Sequence, residues 1–185
     1  MTIPVTMPRQ TDGHLILVGL PGAGKSTVGR AVARRLGRPF LDFDAEIERR
    51  VGCTVARYFA LHGEPAFRTL EVALTQELAA APPMILAPGG GWITNPGVVD
   101  LLRPPGRIVH LRVSPAEALR RISRSRNLRP LLQEADPKAK MEELWVARRA
   151  LYNGADMVLD VESLTSQQVT YSVAQLAHQR TPEVG

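Results

Sequence analysis

A glycine-rich stretch, Gly19-Leu20-Pro21-Gly22-Ala23-Gly24-Lys25-Ser26-Thr27, constrains this chain more than any other part of it. It fits G-x-x-x-x-G-K-[ST], a pattern that requires a strand before it and a helix after it. Both flanks read that way. Leu15 to Val18 is a short apolar run, the mark of a strand buried on both faces. From Lys25 to Leu36, the residues Val28, Ala31, Val32 and Leu36 share one helical face, and Gly37 supplies a stop. Glycines let the backbone curl until successive N–H groups converge, and the following helix adds its N-terminal positive end. That is a cradle for phosphates. Gly22, Ala23, Gly24 and Thr27 form its turn, Lys25 is expected to reach the β- and γ-phosphates of a nucleotide, and Ser26 to hold Mg²⁺. A plain glycine turn with a surface lysine is the alternative, and the strand-helix context argues against it. No Asn-Lys-x-Asp stretch is present, which favours ATP over GTP.

The rest of the chain keeps alternating. Short strands are expected at Phe40-Leu41, Met84 to Ala87, Arg107 to Val113 and Met157 to Val161. Between them, helices are expected from Ala45 to Val51, from Thr54 to about Gly63, and from Glu64-Pro65 to the Pro82-Pro83 pair. Ser114-Pro115-Ala116-Glu117 combines an N-cap, a proline at the first helical position and a capping-box glutamate. Helices also read from Asp136-Pro137 to about Tyr152 and from Ser166 to Gln179. Five strands alternating with helices imply an α/β fold with a parallel sheet covered on both faces.

The 185 residues suit one domain, expected over 14–180 between a tail at 1–13 and another at 181–185. Residues 1–12 lack the apolar core of a signal peptide, and no apolar run reaches the length of a membrane span. The single cysteine, Cys53, has no internal disulfide partner and no metal-ligand spacing around it, which fits packing in a reducing compartment. The formal net charge of +5 could serve nucleic acid or small anions. No nucleic-acid recognition motif stands out, so small anionic ligands are the expectation. Arg120, Arg121, Arg124, Arg126 and Arg129 are concentrated in and before a weakly periodic stretch read as a mobile loop, 123–137.

Asp42 and Asp44 follow a strand end, the side of such a sheet where ligands bind. In an extended segment, residues two apart share a face. One carboxylate could then serve Mg²⁺ while the other accepts the proton of an attacking hydroxyl. Solvated loop aspartates are the alternative. Arg68 can be read as a surface helix charge or as a fork for a carboxylate. Gly89, Gly90 and Gly91 can be read as a flexible turn or as a site of close backbone approach to a ligand.

Together these residues resemble the shikimate kinase family. The likeness runs from Leu15 to about Asp160. It includes Gly-x-x-Gly-x-Gly-Lys-Ser at 19–26, Asp-x-Asp at 42–44, Gly63-Glu64, Phe67-Arg68 with Glu71, the glycine triplet, Arg129-Pro130-Leu131-Leu132, and Arg148 four residues before Tyr152. The resemblance implies a P-loop NTPase-type three-layer α/β/α fold, a helical substrate-binding region at about 43–75, and a lid at about 123–137. It implies phosphorylation of the 3-hydroxyl of shikimate by ATP, with Mg²⁺, in the cytoplasm, within aromatic amino-acid biosynthesis. Asp44 would bind the ring hydroxyls and act as base. Ser26 and Asp42 would serve Mg²⁺. Arg68 and Arg148 would clamp the carboxylate, backed by Gly89, Gly90 and Gly91. Phe59 and Phe67 would wall the ring, and Arg129 would swing in with the lid to touch the phosphates. A monomer is expected, with no membrane or nucleic-acid partner.

Two departures stand out. Pro88 occupies a position where the family often has threonine, and both Arg124 and Arg126 compete to face adenine. The rival readings are a related small-molecule kinase, such as a gluconate kinase, and a non-catalytic ATP-binding regulator. The first would not need Arg68, Arg148 and the triplet together. The second would show a damaged site.

Overall fold

The computed structural model describes residues 13–95, 97–124 and 135–178. All but Gly13 of the expected tail at 1–13, the expected tail at 181–185, and most of the expected lid with Arg126 and Arg129 lie outside the described residues. In chain order the elements are β1 (Leu15–Val18), α1 (Lys25–Leu36), β2 (Phe40–Asp42), α2 (Phe43–Val51), α3 (Val55–Ala79) and β3 (Ile85–Ala87). A 3₁₀ turn (Trp92–Thr94) leads through further turns to β4 (Arg107–Arg112), α4 (Pro115–Ser123), α5 (Pro137–Tyr152), β5 (Met157–Asp160) and α6 (Ser166–His178).

The five strands form one sheet in the order β2-β3-β1-β4-β5, and every pairing is parallel. Side chains alternate across the sheet, so each central strand supplies both cores. Leu15 and Leu17 face a cluster with Val32, Ala118, Met141 and Val173. Ile16 and Val18 face the opposite cluster with Phe43, Phe67, Leu74 and Trp92. Helices α1, α4 and α6 therefore cover one face and α2 and α3 the other, which is the three-layer arrangement expected.

Chain order reverses direction at β1, whose neighbours are β3 and β4. Sheets of this kind open a crevice beyond the carboxyl ends of the strands at that reversal. The phosphate loop leaves β1 there. Asp42, at the end of β2, pairs in register with Ala87, at the end of β3. The segments that follow, Phe43-Asp44 and Pro88-Gly89, thus leave the sheet side by side.

Two local expectations need correction. Helix α2 starts at Phe43, not Ala45, because Asp42 is its N-cap and accepts a hydrogen bond from the Ala45 N–H at 3.3 Å. Asp42 and Asp44 are therefore a cap and a first-turn residue, not alternate residues of an extended strand. Glu117 forms half of a capping box. Ser114 accepts from the Glu117 N–H at 3.2 Å, but the Glu117 carboxylate pairs with Arg120 and Arg121, and the Ser114 N–H donates to Glu162 instead. The long helix α3 is interrupted at Gly63, as the glycine and the following Glu64-Pro65 suggest.

Candidate active site

The phosphate loop is held open by its own backbone. Gly22 and Gly24 have φ angles of 86° and 90°, values that L side chains rarely adopt. A Cβ on Gly22 would also meet the Ala118 carbonyl oxygen at 2.5 Å, so the loop lies tightly on α4. Lys25, at the start of α1, folds over the loop and donates to the Gly19 and Leu20 carbonyls at 3.0 and 3.3 Å. The Ser26 hydroxyl donates to Asp42 Oδ2 at 2.5 Å, which joins the start of α1 to the end of β2. A cleft of about 980 Å³ runs from Lys25 and Ser26 toward Val161 at one end and toward Asp44, Glu48 and Gly89 at the other. Gly22, Ala23, Gly24 and Thr27 line it too.

The other half of the site converges on the glycine triplet. A Cβ built on Gly89 would lie 2.8 Å from Asp44 Oδ1 and 3.1 Å from Glu71 Oε1. On Gly90 it would lie 2.9 Å from Arg148 Nη1, and on Gly91 it would run into the Arg68 guanidinium. Three consecutive backbone positions thus sit against a carboxylate, one guanidinium and a second guanidinium. The triplet itself is fixed. The Trp92 and Thr94 N–H groups donate back to the Gly89 and Gly91 carbonyls, both at 3.0 Å. Buried Trp92 donates from Nε1 to Thr75 Oγ1 on α3 at 2.9 Å. Arg68 and Arg148 come from different helices, α3 and α5, and the triplet brings them to one place.

A shikimate kinase family profile matches residues 21–177. The chain belongs to the shikimate kinase family. It is a kinase that phosphorylates shikimate with ATP, and the expectation drawn from the resemblance holds. A shikimate kinase of Burkholderia thailandensis is 50% identical over 144 residues, covering 78% of each chain. One from Chromobacterium violaceum is 43% identical over 168 residues, covering 90% of this chain and 89% of its own. Among solved structures, a shikimate kinase from Acinetobacter baumannii in complex with shikimate is 38% identical. It matches with a TM-score of 0.83 and covers 90% of this chain and 93% of that one. A gluconokinase from Sinorhizobium meliloti matches at 20% identity and a TM-score of 0.57, a likeness of fold alone.

Within this family member, several residues do more than the sequence announced. Glu71 on α3 is 0% exposed and accepts from Arg68 Nη1 at 2.6 Å and from Asn95 Nδ2 at 3.3 Å. Its Oε1 has no hydrogen-bond partner and is aimed at Gly89. Burial pushes the Glu71 carboxyl above its usual range, Arg68 pulls it back, and the nearby Asp44 charge adds to the rise. Glu64, one helical turn before Arg68, holds its other edge. The i,i+3 and i,i+4 spacing of Glu71 and Glu64 around Arg68 was the available signal. Phe67 is 2% exposed and packs against the tilted ring of Phe59, centroids 4.8 Å apart, with Phe59 the more accessible of the pair. Arg121 lines the Val161 end of the cleft and donates to the Val161 carbonyl at 2.9 Å. Arg124, weighed with Arg126 for the adenine side, is the exposed C-cap of α4, and Arg126 lies outside the described residues.

Proposed function

We propose that the two halves of this cleft hold ATP and shikimate with their reacting groups face to face, giving shikimate 3-phosphate and ADP. The loop amides from Gly22 to Thr27 and the Lys25 ammonium bind the β- and γ-phosphates, Lys25 exchanging its carbonyl partners for phosphate oxygens. Arg121 lies along the adenine side. The Ser26 hydroxyl and the Asp42 carboxylate, 2.5 Å apart, are hard oxygen donors of the kind Mg²⁺ takes alongside nucleotide phosphates. No cluster of three or more acidic, histidine or cysteine side chains competes for a metal among the described residues. When bound, Mg²⁺ neutralises charge on the β- and γ-oxygens.

Arg68 and Arg148 bind the acceptor's carboxylate, with Gly89, Gly90 and Gly91 giving it backbone room. Phe59, supported by Phe67, walls the ring. Asp44 takes the hydroxyl that attacks, orienting it and accepting its proton as the bond to phosphorus forms. Arg129 completes the phosphate side from the lid and keeps water from the transfer. No helix among the described residues is long and apolar enough to cross a membrane. The proposed setting is a cytoplasmic monomer, in keeping with the unpaired Cys53.

The convergence of Asp44, Arg148 and Arg68 on successive glycines carries this reading. It is tested by ADP release with shikimate and gluconate in parallel, for the parent chain and for Arg68→Ala and Arg148→Ala. Turnover on shikimate alone, with each variant raising the shikimate KM far more than the ATP KM, is expected. Turnover on gluconate without shikimate, or equal effects on both KM values, overturns it.

A further inference from the structure

In this structure, Arg68 already holds a carboxylate on each of two sides. Glu64 Oε1 accepts from Arg68 Nε at 3.1 Å and from Nη2 at 2.5 Å, so one carboxylate oxygen spans that edge of the fork. Glu71 Oε2 takes Nη1 at 2.6 Å. An arginine fork recognises a carboxylate through edges of this kind. A substrate carboxylate arriving at Arg68 must therefore either add to a crowded guanidinium or replace a carboxylate already there.

The two glutamates are not equally replaceable. Glu71 is 0% exposed and also accepts from Asn95. Expelling Arg68 from it would leave a buried charge unpaired, which is strongly unfavourable. Glu64 is 65% exposed and sits just after the break in α3 at Gly63. Released from Arg68, it returns to water at little cost. Arg68 itself is only 19% exposed, and its guanidinium lies against Gly91. It stays in place while its outer partner changes.

We infer that Glu64 is a stand-in carboxylate. It occupies the outer edge of Arg68 in the free enzyme and is displaced by the carboxylate of the substrate. The inference rests on the reading of Arg68 as the substrate's anchor. Binding is then an exchange of one carboxylate for another, and only the difference between the two appears as affinity. A carboxylate that also reaches Arg148 wins that exchange, whereas a neutral alcohol has nothing to offer Arg68 in place of Glu64. Glu64 thus acts as a specificity-determining residue through Arg68.

The experiment is a double-mutant cycle with Glu64→Gln, Arg68→Ala and the pair together. It reads the shikimate Kd by calorimetry, and the shikimate and ATP KM values by ADP release. Glu64→Gln removes the competitor's charge and is expected to tighten shikimate binding about two- to fivefold, the range set by an exposed ion pair. The ATP KM should not follow. In the Arg68→Ala background, Glu64→Gln should have no further effect on shikimate. Equal melting temperatures for Glu64→Gln and the parent chain confirm that both are folded. If Arg68→Ala weakens shikimate binding but Glu64→Gln leaves it unchanged or weaker, the stand-in role is overturned and the anchor role survives. If Arg68→Ala does not weaken shikimate binding, the anchor reading fails and the inference fails with it.

Discussion

Asp44 and Gly91 give the sharpest tests of single residues. Asp44 lines the cleft at its Gly89 end, with its Oδ1 against Gly89, while Lys25 and Ser26 line it at the glycine-rich loop. Asp44→Asn should leave ATP affinity near its parent value by equilibrium titration. It should cut kcat by about two to four powers of ten, the usual worth of a positioned proton acceptor. Near-normal turnover would remove Asp44 from that role. Gly91 has an ordinary φ of −91°, so an alanine there strains no backbone. The cost falls instead on the Arg68 guanidinium, which occupies the space a Cβ would need. Gly91→Ala should raise the shikimate KM by about tenfold or more, the cost of a misplaced charged hydrogen bond, and leave the ATP KM alone. An equal rise in both KM values would show a general collapse of the loop rather than a displaced anchor.

Among the elements, α5 reaches the site through an aromatic stack. His110 on β4 lies 4.4 Å from the Tyr152 ring and 6.3 Å from that of Trp145, both on the helix that carries Arg148. Burial, helped by the charge of Arg112, lowers the His110 pKa from 6.5 to about 4. His14 is shifted the same way, mainly by burial. Its Nε2–H donates to the Leu78 carbonyl at 2.9 Å, and its Nδ1 accepts from the Met84 N–H at 3.0 Å. Both imidazoles are neutral in the native chain, whereas the unfolded chain protonates them below pH 6.5. Their contribution to stability is therefore complete above pH 6.5 and is lost as the pH drops, for His110 down to about 4, where it protonates in the native chain. Urea midpoints at pH 7 and pH 5 should show this fall, and His110→Phe should flatten it by keeping the stack without the proton. An unchanged slope would assign the acid sensitivity elsewhere.

The elements also show what the sequence could and could not say. The phosphate loop, the β1 strand and the α1 face were legible because a motif, an apolar run and a helical period each depend on near neighbours. Asp42 and Asp44 were placed in the site for the wrong local reason. A capping aspartate and an extended one look alike until the Ala45 N–H is seen to turn inward. Arg68 and Arg148 are 80 positions apart in sequence, and nothing in spacing alone brings them together. Resemblance suggested the pairing, and the Gly90-Gly91 backbone provides it. The Trp92 turn escaped notice because its meaning lies in Thr75, a partner that only packing selects, whereas Glu64, Arg68 and Glu71 stood at helical spacing and only their unequal burial was hidden.

At the scale of the whole molecule, the site is a property of one edge of the sheet. The loop after β1, the end of β2 and the turn after β3 all open there, so ligands tie together segments that the sheet and the Ser26–Asp42 hydrogen bond already hold close. Saturating Mg-ATP, at about a hundred times its Kd, should stabilise the native state by about 2.7 kcal/mol. For a chain of this size that is a melting shift of roughly 5–10 °C. Lys25→Ala should lose most of the shift while melting near the parent value without nucleotide. A full shift in that variant would show that the phosphates are held elsewhere.

The two cores flank the sheet and support different parts of the cleft, and under the proposed function different ligands. Leu20 and Ala23 anchor the phosphate loop in the layer with α1, α4 and α6, whereas Phe43, Phe67 and Trp92 anchor Asp44, Arg68 and the triplet in the other. The β-strands act as a partition wall between two workshops. Mutations that loosen the α2–α3 side can drift toward a new alcohol while the machinery for handling ATP stays in tune. Among the helices described, α5 belongs to both sides, since its Trp145 packs against both cores and can carry news of one change to the other.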